Sequence, residues 1–290
     1  MTENLLCGPA SLDRYIEPVV QLPSVVLPGG GALNMAYHWS QLGLPSHFIT
    51  RIGDDMPHVF TDFFQRHGIA YSPSVLGHGP SASIDIVIRN DRQPYMDNFV
   101  EGVWTDFRMT ADEEQLVRSA RRLHVVLANP VAAELERLGR VGALDHLDAS
   151  GDFYDFRHYT VDRFEGSMRW LSTAFIGWPG ALDDPTIAGV RDVVTRTRKL
   201  AVITLGSRGV VVLDGRGESL AQRLIPVNAV EVTGTTVGCG DAFIAAFLAH
   251  WWRTSQTPVD VARAVHAGAA LGAAATAWTR PLPDDAYNSL

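Results

Sequence analysis

The sequence predicts an α/β fold: a doubly wound, mostly parallel sheet flanked by helices, with a small β-sheet lid. Short apolar segments alternate with helical patterns along the chain, which is typical of a parallel sheet covered by helices. A stretch near residue 84 alternates instead at the period of a half-buried strand. The chain has 290 residues, enough to bury a large core.

The first helix is the clearest of the helical patterns. It is expected over residues 34–42, because Met35, Trp39 and Leu42 share one face and Gly43 ends it. A second helix is expected over residues 59–67. The strands expected for the main sheet are residues 5–8, 48–52, 124–127, 152–156, 174–177 and 201–205.

The alternating stretch predicts a hairpin. Ile84, Ile86 and Ile88 point to one face, residues 90–93 form a turn, and residues 95–100 alternate again. With short strands from residues 19–27, this hairpin would form a flap on the α/β body. The alternative is that the hairpin is an edge of the main sheet.

Composition limits the cellular setting and the partners. The chain carries 24 Lys and Arg against 32 Asp and Glu, a net charge of −8, which argues against a nucleic-acid partner. Cys7 and Cys239 cannot form a disulfide framework, and the N-terminus lacks the basic region of a secretory signal. No apolar stretch reaches the roughly 18 residues of a membrane helix. We therefore expect a cytoplasmic protein without a membrane partner.

Two glycine-rich segments are the candidates for chemistry. In the first, Gly29, Gly30 and Gly31 precede a helix start at which Asn34 is a plausible N-cap. Glycines let a backbone approach a ligand closely, although a tight turn into a helix explains them as well.

The second segment has a more specific composition. Gly238, Cys239, Gly240 and Asp241 lead into an apolar helix, so their N–H groups could form an anion pocket at its N-terminus. A carboxylate beside a bound phosphate is unfavourable unless it accepts a proton, and this fits a general base in phosphoryl transfer. The alternative is that Asp241 is an ordinary first-turn acid.

Together, the two segments resemble the two signatures of the ribokinase-like (PfkB) carbohydrate kinase family. The paired glycines, Asn34, Ala36 and Gly43 match the first signature, and the Gly-x-Gly-Asp at residues 238–241 matches the second. Further family-like pieces follow in the same order: Gly8 with Asp13, Arg-Ile-Gly-Asp-Asp at 51–55, and Thr-Leu-Gly-Ser-Arg-Gly at 204–209. The sequence is identified as a family member over nearly its whole length.

The resemblance implies phosphotransfer from ATP, with Mg²⁺, to a hydroxyl of a sugar or sugar derivative. Asp241 would be the catalytic base, and the segment Gly238, Cys239 and Gly240 would form the anion hole. The groups implied to hold the substrate are Asp13, Gly30, Gly31 and Asn34. Those implied to bind the nucleotide are Thr204, Gly206, Ser207, Gly209 and Gly268.

The same resemblance implies the organisation of the chain. A single ribokinase-like domain would span residues 1–290, with lid segments near residues 14–28 and 82–103. The apolar face expected on such a lid suggests a homodimer formed through it.

The sequence departs from the family pattern at two places. Thr235 stands where relatives carry an Asp that helps hold a monovalent cation, which argues against activation by K⁺. Residues 175–181 lack the Asn-x-x-Glu that organises Mg²⁺ in relatives, and Asp183 and Asp184 are candidates to replace it. No side chain is assigned as a direct metal ligand.

These departures motivate an alternative: a catalytically weak family member that acts as a ligand-binding or regulatory protein. The retention of Asp241 with its glycines favours the active kinase. A Rossmann dehydrogenase is excluded because no strand leads into a Gly-x-Gly-x-x-Gly.

Overall fold

The computed structural model describes residues 3–17, 22–156 and 159–287. Within these ranges the chain forms strands and helices in alternation. The strands are β1 (Asn4–Cys7), β2 (Ser11–Glu17), β3 (Leu22–Gly29), β4 (His47–Ile49), β5 (Ala70–Tyr71), β6 (Ser83–Ile88), β7 (Pro94–Val100), β8 (Arg122–Val126), β9 (Asp148–Asp152), β10 (Thr173–Gly177), β11 (Leu200–Thr204), β12 (Val210–Asp214) and β13 (Ala221–Ile225). The helices are α1 (Gly31–Gln41), α2 (Pro57–Arg66), α3 (Ala111–Ser119), α4 (Asn129–Arg140), α5 (Val161–Met168), α6 (Pro185–Thr197), α7 (Cys239–Trp251) and α8 (Pro258–Ala275).

A nine-stranded sheet runs through the middle of the described chain, in the order β13-β12-β11-β10-β9-β8-β1-β4-β5. Neighbours from β11 to β5 pair in parallel, whereas β12 and β13 are antiparallel additions at one edge. The carboxyl ends of the parallel strands therefore lie along the same edge of the sheet. This confirms the predicted doubly wound, mostly parallel sheet.

Side chains alternate between two cores, one on each face of the sheet. Leu6 and Val202 belong to the core that contains α1, α2, α7 and α8, whereas Leu5 and Ala201 belong to the core with α3, α4, α5 and α6. Strands buried on both faces need near-continuous apolar sequence, and the short apolar segments supply it. Helices of both groups pack against the sheet, which gives three layers.

Four strands form a second, smaller sheet in the order β3-β2-β6-β7, which we call the lid sheet. The pair β2 and β6 is parallel, and the other two pairs are antiparallel. Ile86 is buried, and Ile84 and Ile88 pack against the same core, so the isoleucine face of the hairpin points inward. The predicted hairpin is confirmed, and the alternative of an edge in the main sheet is wrong. Residues 19–21, part of the stretch 19–27 that was expected to supply short strands, lie outside the described residues.

One predicted strand has the wrong bounds. The strand expected over residues 152–156 is β9, which ends at Asp152. Tyr154 and Phe156 then adopt left-handed φ angles of 52° and 64°, which an extended strand does not contain. The chain therefore turns immediately after Asp152 and leaves that carboxylate at the carboxyl end of the sheet.

A buried ion pair connects the loop after β4 to α3, the helix that follows the last strand of the lid sheet. Arg51, in the loop after β4, donates to both carboxylate oxygens of Glu113 at 2.8 and 2.6 Å and to the carbonyl of Arg108 at 2.9 Å. Glu113 also closes the capping box of α3 with Thr110. The segment that returns from β7 is thereby held against the main sheet.

We expect Arg51→Met to destabilise the protein by about 3–5 kcal/mol, because it leaves the buried Glu113 carboxylate without its partner. Arg140→Met is the matched control. Arg140 and Glu136 form an exposed i,i+4 pair, and such pairs contribute about 0–1 kcal/mol. Urea unfolding of both variants measures the difference, and equal losses would contradict the role given to the buried pair.

Candidate active site

Two helix N-termini meet at the carboxyl edge of the main sheet. Helix α1 begins after Gly30, and helix α7 begins after Gly238. The Asn34 Nδ2 atom donates a hydrogen bond to Asp241 Oδ2 at 2.8 Å and so joins the two helices. Asn34 was expected to cap α1, and this is wrong: Gly30 is the N-cap, and Asn34 lies inside the first turns of the helix. Its amide is free to face Asp241 because it does not cap its own helix.

The three glycines before α1 pass between two carboxylates. A Cβ on Gly29 would lie 2.0 Å from Asp13 Oδ2, and a Cβ on Gly31 would lie 3.0 Å from Asp241 Oδ1. Gly30 between them has a φ of 94°, a conformation that side chains disfavour. Glycine is therefore required here for two reasons. The turn needs a positive φ, and larger side chains would clash with the carboxylates of Asp13 and Asp241.

Asp13 is buried on β2 of the lid sheet, beside these glycines. It accepts a hydrogen bond from Ser11 Oγ at 2.7 Å and one from the Gly30 backbone. Burial raises the pKa of Asp13 to about 7, and the nearby Asp241 charge adds to the shift, whereas the Ser11 bond opposes it. The carboxylate is held in place but is poorly solvated, so it favours a partner that brings hydroxyl donors.

The start of α7 is open to solvent. Gly240 is exposed, and a Cβ built on it would meet nothing within 4 Å. The first N–H groups of a helix lack intrahelical acceptors, so this opening is a site for an anion. Gly238 has a φ of 77° and packs against Pro281, where a Cβ would lie 2.7 Å from the Pro281 backbone.

Cys239 contributes little reactivity to this turn. Burial, with a smaller contribution from the charge of Asp241, raises the pKa of its thiol to about 12. The thiol thus stays protonated, and its Sγ lies 3.8 Å from the Thr235 carbonyl oxygen. The small volume of the side chain and the backbone N–H are what this residue brings to the site.

Asp241 itself is more basic than an ordinary carboxylate. Burial raises its pKa to about 6, and the hydrogen bond from Asn34 opposes the shift. Near neutral pH the group is therefore mostly ionised, yet it holds a proton better than a solvated Asp. These are the properties of a general base.

A further acid, Asp152, belongs to the same electrostatic group. It is buried at the end of β9, and its carboxylate accepts a hydrogen bond from the Tyr154 backbone at 2.8 Å. Burial raises its pKa to about 7, and the charges of Asp241 and Asp155 contribute. Sequence reasoning missed Asp152. Its signal was a carboxylate at the end of a short strand, which is where open α/β sheets bind ligands.

The loop expected to bind the nucleotide lies at the end of β11. Thr204 is the last residue of β11, and Gly206 and Ser207 are exposed in the helical turn that follows, before Gly209 leads into β12. The Arg208 side chain donates to the carbonyls of Trp178, Pro179 and Gly180 at 3.2, 3.0 and 2.9 Å. This guanidinium joins the loops after β10 and β11 into one rim.

Gly268 lies elsewhere in the structure, on the face of α8 that packs against α7. A Cβ there would lie 2.7 Å from the Phe243 carbonyl oxygen, so glycine allows the two helices to pack closely. Its expected place beside the adenine base remains a prediction.

Comparison with known proteins agrees with this geometry. The family model described as "pfkB family carbohydrate kinase" matches residues 177–281. The chain is 24% identical to fructoselysine 6-kinase of Escherichia coli (strain K12) over 255 residues, 87% of this chain and 91% of that protein. It is 27% identical to cytidine kinase of Thermococcus kodakarensis over 267 residues, 87% and 90% of the two chains. Residues 177–281 thus match the PfkB carbohydrate kinase family, and most of the chain is similar to kinases of this type.

The fold of the chain is also found among solved structures. Ribokinase from Giardia lamblia superimposes with a TM-score of 0.79 and 13% identity, and the match covers 99% of each chain. This likeness shows a ribokinase-like fold. The family match and the similar kinases indicate an enzyme of the carbohydrate kinase type. None of the helices in the described ranges is long and apolar enough to cross a membrane.

The chemistry of the site can be tested for a fit to Mg²⁺. The described residues contain no group of three or more metal-binding side chains, and Asp184, a candidate from the sequence, caps α6 by accepting from the Thr186 N–H. Asp152 remains as a buried oxygen donor of raised pKa at the carboxyl end of β9. Oxygen donors suit Mg²⁺, which usually takes most of its ligands from water and substrate phosphates.

We expect Asp13→Asn to raise the melting temperature of the protein at pH 8 more than at pH 5. The folded-state pKa of about 7 exceeds the usual 3.8, so the folded protein binds more protons between these values. The wild-type stability then falls as the pH rises through this window, and removing the carboxylate removes that loss.

Asp62→Asn, an exposed change on α2, is the control and should leave the melting temperature nearly unchanged. A melting temperature for Asp13→Asn below that of the wild type at pH 8 would contradict the expectation. Thermal melts of the three proteins at the two pH values are sufficient.

Proposed function

We propose that the protein transfers the γ-phosphoryl group of ATP to a hydroxyl of a sugar or sugar derivative, with Asp241 as the general base. The observation that carries the proposal is the position of Asp241. Its carboxylate is fixed by Asn34 at 2.8 Å, lies in the first turn of α7, and borders the open N-terminus at Gly240. A simple first-turn acid would not need a partner from another helix.

The reaction follows from this arrangement. The substrate hydroxyl gives its proton to Asp241 as its oxygen attacks the γ-phosphorus, and the bond from that phosphorus to the bridging oxygen of ADP breaks. The N–H groups of Gly238 and Gly240 face the charge that develops on the transferred group, and the Cys239 N–H joins them once it leaves the Thr236 carbonyl, to which it donates at 3.4 Å. Bound Mg²⁺ would neutralise phosphate charge, and Asp152 is the described carboxylate suited to its hydrated shell.

The substrate is proposed to bind between the lid sheet and α1. Asp13 and the backbone of Gly30 and Gly31 offer acceptors and donors there, and Asn34 Oδ1 is buried with no hydrogen-bond partner among the described residues. A sugar hydroxyl would satisfy that oxygen. The proteins named fructoselysine 6-kinase and cytidine kinase differ in substrate, so we restrict the proposal to a polyhydroxylated compound.

The nucleotide is proposed to lie over the rim formed by Thr204, Gly206, Ser207 and Gly209, with Gly268 near the base. The whole chain, residues 1–290, is proposed to act as one domain whose lid segments near residues 14–28 and 82–103 cover the site. We propose that it works in the cytoplasm.

Asp241→Asn tests the mechanism. We expect kcat to fall by about 10²- to 10⁴-fold, because the amide cannot accept the proton, while the melting temperature does not fall and substrate affinity changes little. Steady-state kinetics with a thermal melt make the measurement, after a screen of ATP consumption over a carbohydrate and nucleoside library. Near-wild-type turnover in a folded Asp241→Asn protein would remove Asp241 from the mechanism.

A second candidate function is favoured by one observation. The loop at residues 177–181 lacks the Asn and Glu expected of relatives and is bound instead by Arg208. A catalytically weak protein that binds a sugar as a regulatory signal would retain the pocket without turnover. Sugar binding without ATP consumption in the same library would favour this candidate.

A homodimer through the lid sheet is also proposed. Tyr95, Met96, Phe99 and Val100 are exposed apolar side chains (45–54%) on β7, an edge strand of the lid sheet. We expect Phe99→Glu to shift the sedimentation coefficient from dimer to monomer while the melting curve keeps one transition. A wild-type chain that sediments as a monomer at assay concentration would refute the dimer.

A further inference from the structure

The tip of the lid hairpin touches the loop that leads into α7. The tip is the turn at residues 90–93, between β6 and β7. Thr235 Oγ1 donates to the Arg92 carbonyl at 3.3 Å, and Thr236 Oγ1 donates to Gln93 Oε1 at 2.9 Å. Two neighbouring hydroxyls on the body thus bind two neighbouring residues of the lid, although the partners are 143 positions apart in the chain.

The hydroxyl of Thr235 also takes part in a second hydrogen bond, within the loop that leads into α7. It accepts from the Val237 N–H at 3.3 Å, and the residue is fully buried. The carbonyl of Thr236 in turn accepts from the Cys239 N–H at 3.4 Å. The residues that hold the lid tip therefore also set the backbone immediately before Gly238 and Gly240.

The lid tip presents its acceptors from a closed turn. The Arg92 N–H donates to the Arg89 carbonyl at 2.9 Å, and the Arg89 N–H donates to the Gln93 carbonyl at 3.0 Å. Arg92 has a left-handed φ of 65°, and the Gln93 N–H is bound by Asp91 Oδ1 at 3.1 Å. The Arg92 carbonyl that faces Thr235 is consequently fixed by the turn.

This contact requires a donor at position 235. A threonine hydroxyl donates to a carbonyl, whereas an ionised aspartate only accepts and would repel it. The neutral residue at this position, which the sequence shows as a departure from the family pattern, thus has a local physical reason: it makes a bond to the lid that an aspartate cannot make.

We propose that Thr235, Thr236 and Gln93 are positioning residues that tie the lid tip to the anion-hole loop. Closing the lid over the substrate and placing the N–H groups at the start of α7 then occur together. The inference rests on the proposed phosphotransfer, because that reaction is what the coupled placement serves. Closure before transfer keeps water from the phosphoryl group.

Hydrogen exchange of the ligand-free protein tests the contact without an assay of activity. The turn amides of Arg89 and Arg92 exchange when the tip opens, so losing one bond to the body should speed their exchange roughly two- to tenfold. Thr235→Val and Thr236→Val remove one hydroxyl each. Thr235→Ser and Thr236→Ser keep it and are the matched controls. Thr235→Asp should open the tip at least as far as Thr235→Val.

A double-mutant cycle and product analysis complete the test. Gln93→Met and Thr236→Val should be non-additive, because each already breaks the same bond. With a substrate found in the library screen, the valine variants should lose a larger fraction of ATP to hydrolysis per transfer, and the serine variants should recover the wild-type ratio.

Unchanged exchange in both valine variants, or equal changes in the valine and serine variants, would overturn the inference. Failure of the proposed kinase function has a different signature: the wild type transfers phosphate to no compound in the library. The exchange measurements would still decide the contact in that case.

Discussion

The hydrogen bond between Asn34 and Asp241 is the interaction on which the rest of the site depends. It connects the N-terminal turns of α1 and α7, the two helices that border the carboxyl edge of the sheet. Asp241 needs an orientation that its own helix does not impose, since a first-turn acid is normally free to face solvent. A donor from a second helix fixes one carboxylate oxygen and leaves the other for a proton.

Charge sets the cost of this arrangement. Burial raises the pKa of Asp13, Asp152 and Asp241 to about 6 or 7, and the charge of Asp241 contributes to the shifts of the other two. A polyphosphate brought to such a site meets like charge, so protons, helix N–H groups or a divalent cation must offset it. The same burial that makes Asp241 a better base lowers the stability of the empty protein near neutral pH, and the site therefore favours function over stability.

The sequence indicates the fold better than the site. The two cores could be predicted from apolar neighbours in a strand such as Leu5 and Leu6. Successive side chains of a strand point to opposite faces of the sheet, so an apolar pair indicates a core on each face. Asn34 was misplaced as a helix cap because cap propensity is local, whereas its partner Asp241 is 207 positions away. Asp152 was missed for the same reason: its charge matters only where β9 ends beside α7. The expected roles of the site residues remain predictions.

Chemistry and recognition rest on different parts of the molecule. Asp241 and its amides lie on a helix buried against the main sheet, while Asp13 lies on a separate sheet with one exposed face. A change on the substrate-facing strands of the lid sheet can alter the hydroxyl groups that are bound without moving the base, because Asn34 of α1 holds Asp241. The lid tip is different, because Thr235 and Thr236 bind it to the loop before α7. Both hydroxyls lie in the loop before α7, so a lid of altered sequence must still offer two acceptors to them. The sequence of the lid tip is therefore more constrained than that of the strands that face the substrate.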